Sequence, residues 1–366
     1  MLGIYVHIPF CEKKCNYCSF SSFSKDETFI KQYLSFLCSE IEKSQFKGRE
    51  VDTIYIGGGT PSLLTVEQIA NILKSIYNTF KVNEQCEITI ECNPNSVTYQ
   101  KALGYRQSHI NRISLGVQSL NESELKFLAR MHNAQQVFDA IENIQKAGIY
   151  NLSADLLIGI RGSSFDSFKE QLDKLINLNV KHISCYMLQV EENTPLEKMY
   201  QKNKNIILSD DECSKLYNQI ANYLKSKNFL HYEISNFALD GFQSKHNLKY
   251  WTGEEYLGFG LAAHSYIDKT RIANAKSFAK YYNDEIEFCE KLTSKELIEE
   301  HIMLGLRCQS GINKSYLKSL GYDIEKNKNY QKLLKNKVVF EKNDNIYLNE
   351  EFFTVSNSII LDLIDF

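Results

Sequence analysis

No apolar run in the sequence approaches the ~18 residues that a membrane-spanning helix needs, so no such span is expected. Net charge is nearly absent: 42 basic against 45 acidic residues leave −3 over 366 positions. A chain that neutralises many phosphates is normally basic, so nucleic acid is disfavoured as the main partner. Residues 1–10 (MLGIYVHIPF) lack a basic n-region, a long apolar stretch and a cleavage site. A secretory signal is therefore not expected, and the cytoplasm is the expected compartment. Repeats and low-complexity segments are also missing. Arginine is scarce, with only seven, so an arginine inside a motif carries information.

What is present is the composition of a well-packed protein. Hydrophobic residues make up 43% and charged residues 24%, which excludes global disorder. The length allows two or three domains, or one large barrel with an appendage. Ten cysteines in a chain this long do not make a small disulfide scaffold. In a reducing compartment they read as buried thiols or metal ligands.

Short β-branched runs alternate with amphipathic stretches through the first two-thirds. Strands are expected at Ile4–Ile8, Thr53–Ile56, Glu87–Glu91, Arg112–Gly116, Asn151–Ile158 and His182–Met187. Helices are expected at Glu27–Lys43, Val66–Phe80, Glu122–Met131, Gln135–Ala147 and Phe165–Leu178. Such alternation implies an α/β fold of parallel strands with right-handed crossovers, as an open sheet or a partial barrel. Ser209–Lys227 reads as a capped helix with acids in its first turn. From Ser294 the pattern is helical with a hairpin at Val338–Leu348, a winged-helix-like module. Its residues 314–342 hold eight lysines against three acids, which reads as a solvated helix face. Three units are expected: 1–235, a connecting segment 236–290, and 291–366.

Cys11, Cys15 and Cys18 follow the first strand as C-x3-C-x2-C. Three thiolates in one loop suit a soft metal centre. Zinc would need a fourth ligand, for which His7 is the candidate, and would suit a zinc-bound nucleic-acid module with the basic C-terminal region. A [4Fe–4S] cube held by three thiolates keeps one iron open for a non-protein ligand. Other unusual residues also sit at strand ends. Gly57-Gly58-Gly59-Thr60-Pro61 follows the second strand, Glu91 ends the third, Gln118 lies past the fourth, and Asp155 is near the end of the fifth. The glycines permit close backbone approach to a ligand or simply make a tight turn. A buried carboxylate at Glu91 needs a cation or hydroxyls beside it. Asp155 fits that description or caps the next helix. Arg130 ends a helix and suits a planar fork for a carboxylate.

The run Tyr5-Val6-His7-Ile8-Pro9-Phe10-Cys11, continued by Cys15, Asn16, Tyr17 and Cys18, resembles the radical S-adenosylmethionine (SAM) superfamily. Within it the sequence is similar to the oxygen-independent coproporphyrinogen III oxidase family, and most to its heme-chaperone branch, HemW. The resemblance implies a partial (β/α)6 barrel, with Cys11, Cys15 and Cys18 holding a [4Fe–4S] cluster. The resemblance also implies that SAM would chelate the open iron and, once an electron donor reduces the cluster, be cleaved to methionine and a 5′-deoxyadenosyl radical. Tyr5, Tyr17, Gly58, Gly59, Thr60, Glu91, Gln118, Arg130 and Asp155 match family positions that bind SAM, some of them in a second SAM site of the oxidase. One departure is Gly159-Ile160-Arg161-Gly162-Ser163, where the family has Gly-Leu-Pro-Gly-Gln. Arg161 then contacts propionates or points into solvent.

Two features favour the chaperone branch over the oxidase. Phe20 stands where the oxidase carries a further cysteine, and the oxidase's long N-terminal extension is not seen before Tyr5. A third is His246-Asn247-Leu248-Lys249-Tyr250-Trp251, which matches the H-N-x-x-Y-W motif of the chaperones. By that match His246 is the expected heme ligand, with Tyr250 and Trp251 packing on the porphyrin; the competing reading is a histidine that caps a turn while Trp251 fills the core. His264 reads as a structural or barrel-mouth residue, and Cys92, beside Glu91, as the remaining thiol of interest. The implied function is a heme chaperone that binds a [4Fe–4S] cluster, SAM and heme, and delivers heme to apo-haemoproteins. Coproporphyrinogen III oxidation is the alternative. The resemblance also permits a homodimer and peripheral membrane contact.

Overall fold

Residues 1–19, 23 and 26–364 are described in the computed structural model of the chain. Phe20 lies outside them. Six parallel strands form the centre: β1 (Leu2–Ile8), β2 (Glu50–Gly58), β3 (Lys81–Cys92), β4 (Arg112–Gln118), β5 (Asn151–Ile158) and β6 (His182–Met187). They pair in chain order, each with the next, through helical crossovers. The crossover helices are α1 (Glu27–Glu42), α2 (Val66–Thr79), α3 (Tyr99–Gln107), α4 (Glu122–Phe127), α5 (Ala134–Lys146) and α6 (Phe165–Asn177). Capping boxes at Thr65/Gln68 and Asn133/Gln136 fix the starts of α2 and α5. Each cap contributes about 1 kcal/mol. The helix α3 is the least visible in the sequence. It lacks an apolar stripe and is held by the Thr98 cap, by buried Ala102 and Tyr105, and by Gly104 lying flat against Val66.

Strand register separates two faces. Ile4 pairs with Ile54, Ile54 with Ile88, Ile90 with Ile113, Ile113 with Leu152, and Ala154 with Ile183. These side chains lie buried under the helices. The intervening residues are Tyr5 and His7, Thr53 and Tyr55, Thr89 and Glu91, Arg112 and Ser114, Ser153 and Asp155, His182 and Ser184. A one-residue slip would turn that polar set outward, so the register is strongly specified. Parallel sheets buried on both faces usually read as apolar runs. This inner face is polar instead. Residues from β2 and β6 line one cavity, although strands four apart in a flat sheet stand about 19 Å from each other. The six strands therefore curl into a partial (β/α)6 barrel.

Further strands extend both edges. After α7 (Pro195–Lys202) and α8 (Asp210–Ser226), β7 (Leu230–Glu233) and β8 (Asn236–Ala238) add antiparallel beyond β6. After α9 (Lys245–Thr252), β9 (Tyr256–Phe259) pairs parallel with β1. The strands β10 (His264–Ile267), β11 (Thr270–Asn274) and, past α10 (Phe278–Tyr281), β12 (Ile286–Lys291) continue antiparallel. The stretch expected to connect two units thus supplies strands to the barrel's own sheet. His264 opens β10 and is exposed, and it does not line the cavity described below.

The C-terminal part holds α11 (Ser294–Gly305), α12 (Lys314–Ser319), α13 (Lys328–Lys335), α14 (Ser356–Ile364) and a small sheet of β13 (Ile312–Asn313), β14 (Val339–Lys342) and β15 (Asn345–Leu348). The β14–β15 hairpin turns at Asn343 and Asp344, both with positive φ, as a type I′ turn requires. Among the described residues no helix is long and apolar enough to cross a membrane.

Candidate functional site

A cavity of about 760 Å³ opens at the C-terminal ends of the barrel strands and runs inward. Cys11, Cys15 and Cys18 all line it, on the loop after β1. That loop is tied down at both ends and in the middle. Cys11 N–H donates to Phe23 O at 3.2 Å and Cys18 N–H to Cys15 O at 3.3 Å. Asn16 donates from Nδ2 to Phe127 O at 2.7 Å, at the end of α4.

The turn after β2 lies against this loop. Gly58 has φ of +114°, and Gly59 N–H donates to Ile8 O at 2.8 Å. A Cβ on Gly59 would come 2.6 Å from Phe10 O and 3.0 Å from Cys11 Sγ. Only glycine permits this approach. Thr60 Oγ1 stands 3.5 Å from Cys11 Sγ.

Glu91, the last residue but one of β3, faces the cavity. It accepts from Tyr55 OH at 2.9 Å and from Gly58 N–H at 3.1 Å. Burial pushes its pKa up to about 7, against the opposing effect of the Tyr55 hydrogen bond. Asp155 accepts from Ser114, Ser153 and Ser184 and caps no helix. Burial raises its pKa as well, against those same serine hydrogen bonds. Gln118 closes β4 with φ of +63°, an uncommon conformation for a side-chain-bearing residue. Strain of this kind clusters at functional sites.

Arg130 was expected on a helix, but α4 stops at Phe127. Ala129 takes φ of +57° and Arg130 N–H returns to Leu125 O at 2.9 Å. This turn aims the guanidinium back into the cavity. Its Nη2 donates to Asn93 Oδ1 at 2.7 Å and Gly116 O at 2.9 Å, its Nη1 stands 3.4 Å from Cys15 Sγ, and its Nε has no partner. Tyr17 lines the same space.

Two expected residues stand outside the cavity lining. Tyr5 sits behind Tyr55, ring centroids 6.2 Å apart, and its hydroxyl meets His7 Nδ1 at 2.9 Å. The other is His246. It is no loop residue: it lies in α9, fully buried, with Nδ1 2.9 Å from Thr53 Oγ1 and Nε2 2.8 Å from Tyr250 OH. Its ring stacks on Tyr55 at 5.3 Å. Both ring nitrogens are therefore engaged, and neither reaches an iron without losing a hydrogen bond. Burial holds its pKa down at about 3. Trp251, further along α9, is half-buried.

Arg161 is exposed and pairs with Glu212 at 3.0 Å. Burial pushes the Cys92 thiol up to about 12, so it is a poor nucleophile. Among the described residues no three His, Cys, Asp or Glu side chains close around one point as ligands of a single ion do. A cube of irons sets a different requirement, since each thiolate binds its own iron. The sequence reading missed Asn93, Arg112 and Ser114. A signal for the last two was available: Arg112, Ser114, Gly116 and Gln118 recur with period two, all non-apolar, on an otherwise apolar strand.

Comparison with known proteins agrees with this arrangement. The pattern of the Radical SAM superfamily matches residues 5–183. The heme chaperone HemW of Lactococcus lactis is 33% identical over 99% of this chain and 98% of its own length. The HemW of Escherichia coli is 34% identical over 73% of this chain and 70% of its own. Among solved structures, the E. coli coproporphyrinogen III oxidase HemN, described as a radical SAM enzyme, superposes with a TM-score of 0.86. That likeness covers 100% of this chain and 90% of HemN at 22% identity, and so speaks for the fold. Polar residues at barrel strand ends, a cysteine loop after β1 and near-full-length likeness to these chaperones together show that the chain belongs to the radical SAM superfamily and, within it, to the HemW family.

Proposed function

We propose that the protein is a heme chaperone that carries a [4Fe–4S] cluster, binds SAM and heme, and passes heme to apo-haemoproteins. The observation that carries the cofactor part is one cavity shared by three thiols, a glycine cradle and an inward-turned arginine. Cys11, Cys15 and Cys18 supply the donor set for a cluster with one open iron. The cradle at Gly59 leaves, beside Cys11, the room that a Cβ would fill. The unpartnered Nε of Arg130 supplies a donor for a ligand carboxylate. With cluster and SAM bound, the site has the means for reductive radical chemistry.

The chain's own residues then divide the work. Gly58, Gly59 and Thr60 offer backbone groups and a hydroxyl to the amino acid end of SAM. Glu91 and Asp155 accept hydrogen bonds from ribose hydroxyls or the SAM amino group. Gln118 and Tyr17 bound the pocket, and Tyr5 supports it from behind Tyr55. Binding a cationic ligand favours the ionised form of Glu91 and so lowers its raised pKa. An external electron donor serves the cluster. Heme enters this reading through the chaperones that the chain resembles, and His246 is not assigned to the iron. The cytoplasm is the proposed compartment, since free thiols persist there. Transient membrane contact and dimerisation belong to the delivery step, and residues 291–366 act as a module beside the barrel.

The test is anaerobic reconstitution with iron and sulfide analysis, then hemin titration with and without SAM, then transfer to an apo-haemoprotein. About four irons and four sulfides per chain, hemin binding and transfer support the reading. A single zinc without sulfide overturns it. Formation of protoporphyrinogen IX from coproporphyrinogen III and SAM would replace it with the oxidase.

A further inference from the structure

Below the residues assigned to SAM, the barrel interior holds a second polar feature. Arg112 opens β4, four residues before Gly116. At strand rise this sets it about 13 Å deeper than the Gly116 carbonyl that Arg130 grips. Among the described residues it is the largest fully buried side chain, 1% exposed, and it lines the same cavity as the cysteines. Its Nε and Nη1 have no hydrogen-bond partner.

The charge itself is balanced. Burial works against it, but Glu87, Tyr55, Tyr232 and Asp155 outweigh that effect and hold the guanidinium pKa above its ordinary value. The hydrogen bonds are what is missing. Asp155 already accepts from three serines, and Glu87 Oε1 accepts from His246 N–H at 3.2 Å. Neither carboxylate takes the free Nε or Nη1. A buried donor without an acceptor is costly, so the interior is arranged for an acceptor that the chain itself does not supply.

We propose that Arg112 is a carboxylate-binding residue at the floor of the barrel, taking an acid group of a ligand that reaches inward past the cysteine loop. The inference rests on the reading of the cavity as a ligand site and adds a second, deeper contact to it. A guanidinium matches a carboxylate through parallel N–H···O bonds, which lysine cannot reproduce. Ser114 and Ser184 line the way down and offer hydroxyls that donate or accept. The entering acid comes from a porphyrin propionate or from the amino acid end of a SAM molecule.

Equilibrium titrations of the reconstituted holoprotein separate these sources. One arm compares mesoporphyrin IX with its dimethyl ester, the other compares SAM with decarboxylated SAM. In Arg112→Gln the acid form in one arm should bind about ten- to hundred-fold more weakly, while its counterpart without the free carboxylate binds as it does to the native chain. Arg112→Lys should recover only part of the loss. Equal affinity of native chain and Arg112→Gln for both acids would overturn the inference and leave the ligand reading of the cavity standing. Failure of the native chain to bind either acid would overturn both. Should the variants not fold, a crystal structure of the native holoprotein with the acid probe decides: carboxylate oxygens on Nε or Nη1 support the inference, and water alone there refutes it.

Discussion

Replacing His246 by alanine should cost the protein stability and leave heme binding largely intact. The ring is 0% exposed, stacks on Tyr55 at 5.3 Å and meets Tyr250 edge-on at 5.1 Å. Truncation leaves a cavity and strands two partners, Thr53 Oγ1 and Tyr250 OH. Large-to-small core changes and orphaned polar groups together predict a loss of about 3–5 kcal/mol. His246→Phe keeps most of the volume and should lose only the polar part, about 2 kcal/mol. The histidine also has a pH signature. Its folded pKa of about 3 lies below the ordinary 6.5, so its stabilising contribution is complete above pH 6.5. That contribution falls as pH drops from there towards 3, by about 1.4 kcal/mol per unit. His246→Phe should flatten the acid limb by that slope. Urea unfolding at several pH values, beside hemin titration, measures all of this. An alanine variant within about 1 kcal/mol of the native chain, yet unable to bind heme, would refute the structural role and restore the ring as an iron ligand.

Gly59→Ala should sharply lower the iron retained per chain after reconstitution, because its Cβ would meet Phe10 O at 2.6 Å and push the cysteine loop away; full iron content would show that the cradle is not needed. Glu91→Gln should weaken SAM binding yet stabilise the ligand-free chain at pH 8. The folded pKa of about 7 lies above the ordinary 4.5, so the acid's contribution is present below 4.5 and is lost as pH rises through 7. Removing that burden should yield on the order of 1 kcal/mol, since the carboxyl faces a cavity that water can enter; thermal melts at pH 5 and pH 8 check the sign. Arg161→Ala should change stability by under about 1 kcal/mol and leave SAM and hemin affinities alone, because the exposed guanidinium is paired with Glu212. A selective loss of porphyrin affinity would instead place Arg161 at the barrel mouth.

Most of the barrel was readable because its strands are short, β-branched and punctuated by capped helices. Asn151–Ile158 and His182–Met187 are found with the boundaries expected. The strand-end rule located Cys11, Gly58, Glu91, Gln118 and Asp155 before any coordinates, since each interrupts an apolar period with a residue of special chemistry. Three things were not readable. The end of α4 depends on Ala129 in a left-handed conformation, which alanine does not advertise. The strands of residues 236–290 are three to six residues long, and their pairing with β6 and β1 is a matter of distant register. The surroundings of His246 were not readable because a motif fixes residue identity without fixing direction. In α9 the imidazole turns towards β2, where Thr53 and Tyr55 wait for it.

The His246 ring touches Tyr55, and Tyr55 OH holds Glu91 Oε1 at 2.9 Å. His246 N–H holds Glu87, whose charge supports Arg112. His246 thus braces both groups, the carboxylate at the barrel mouth through its ring and the guanidinium at the floor through its backbone N–H. The H-N-x-x-Y-W segment shapes the cavity mostly from behind, through Tyr55 and Glu87, and adds Asn247 to its lining. A ligand that changes the protonation of Glu91 alters the partner of Tyr55, and the change is passed by direct contact to His246 and Tyr250. Linkage runs both ways. Loss of the His246 ring should therefore weaken SAM binding through Glu91 even though no atom of the ring reaches the cavity.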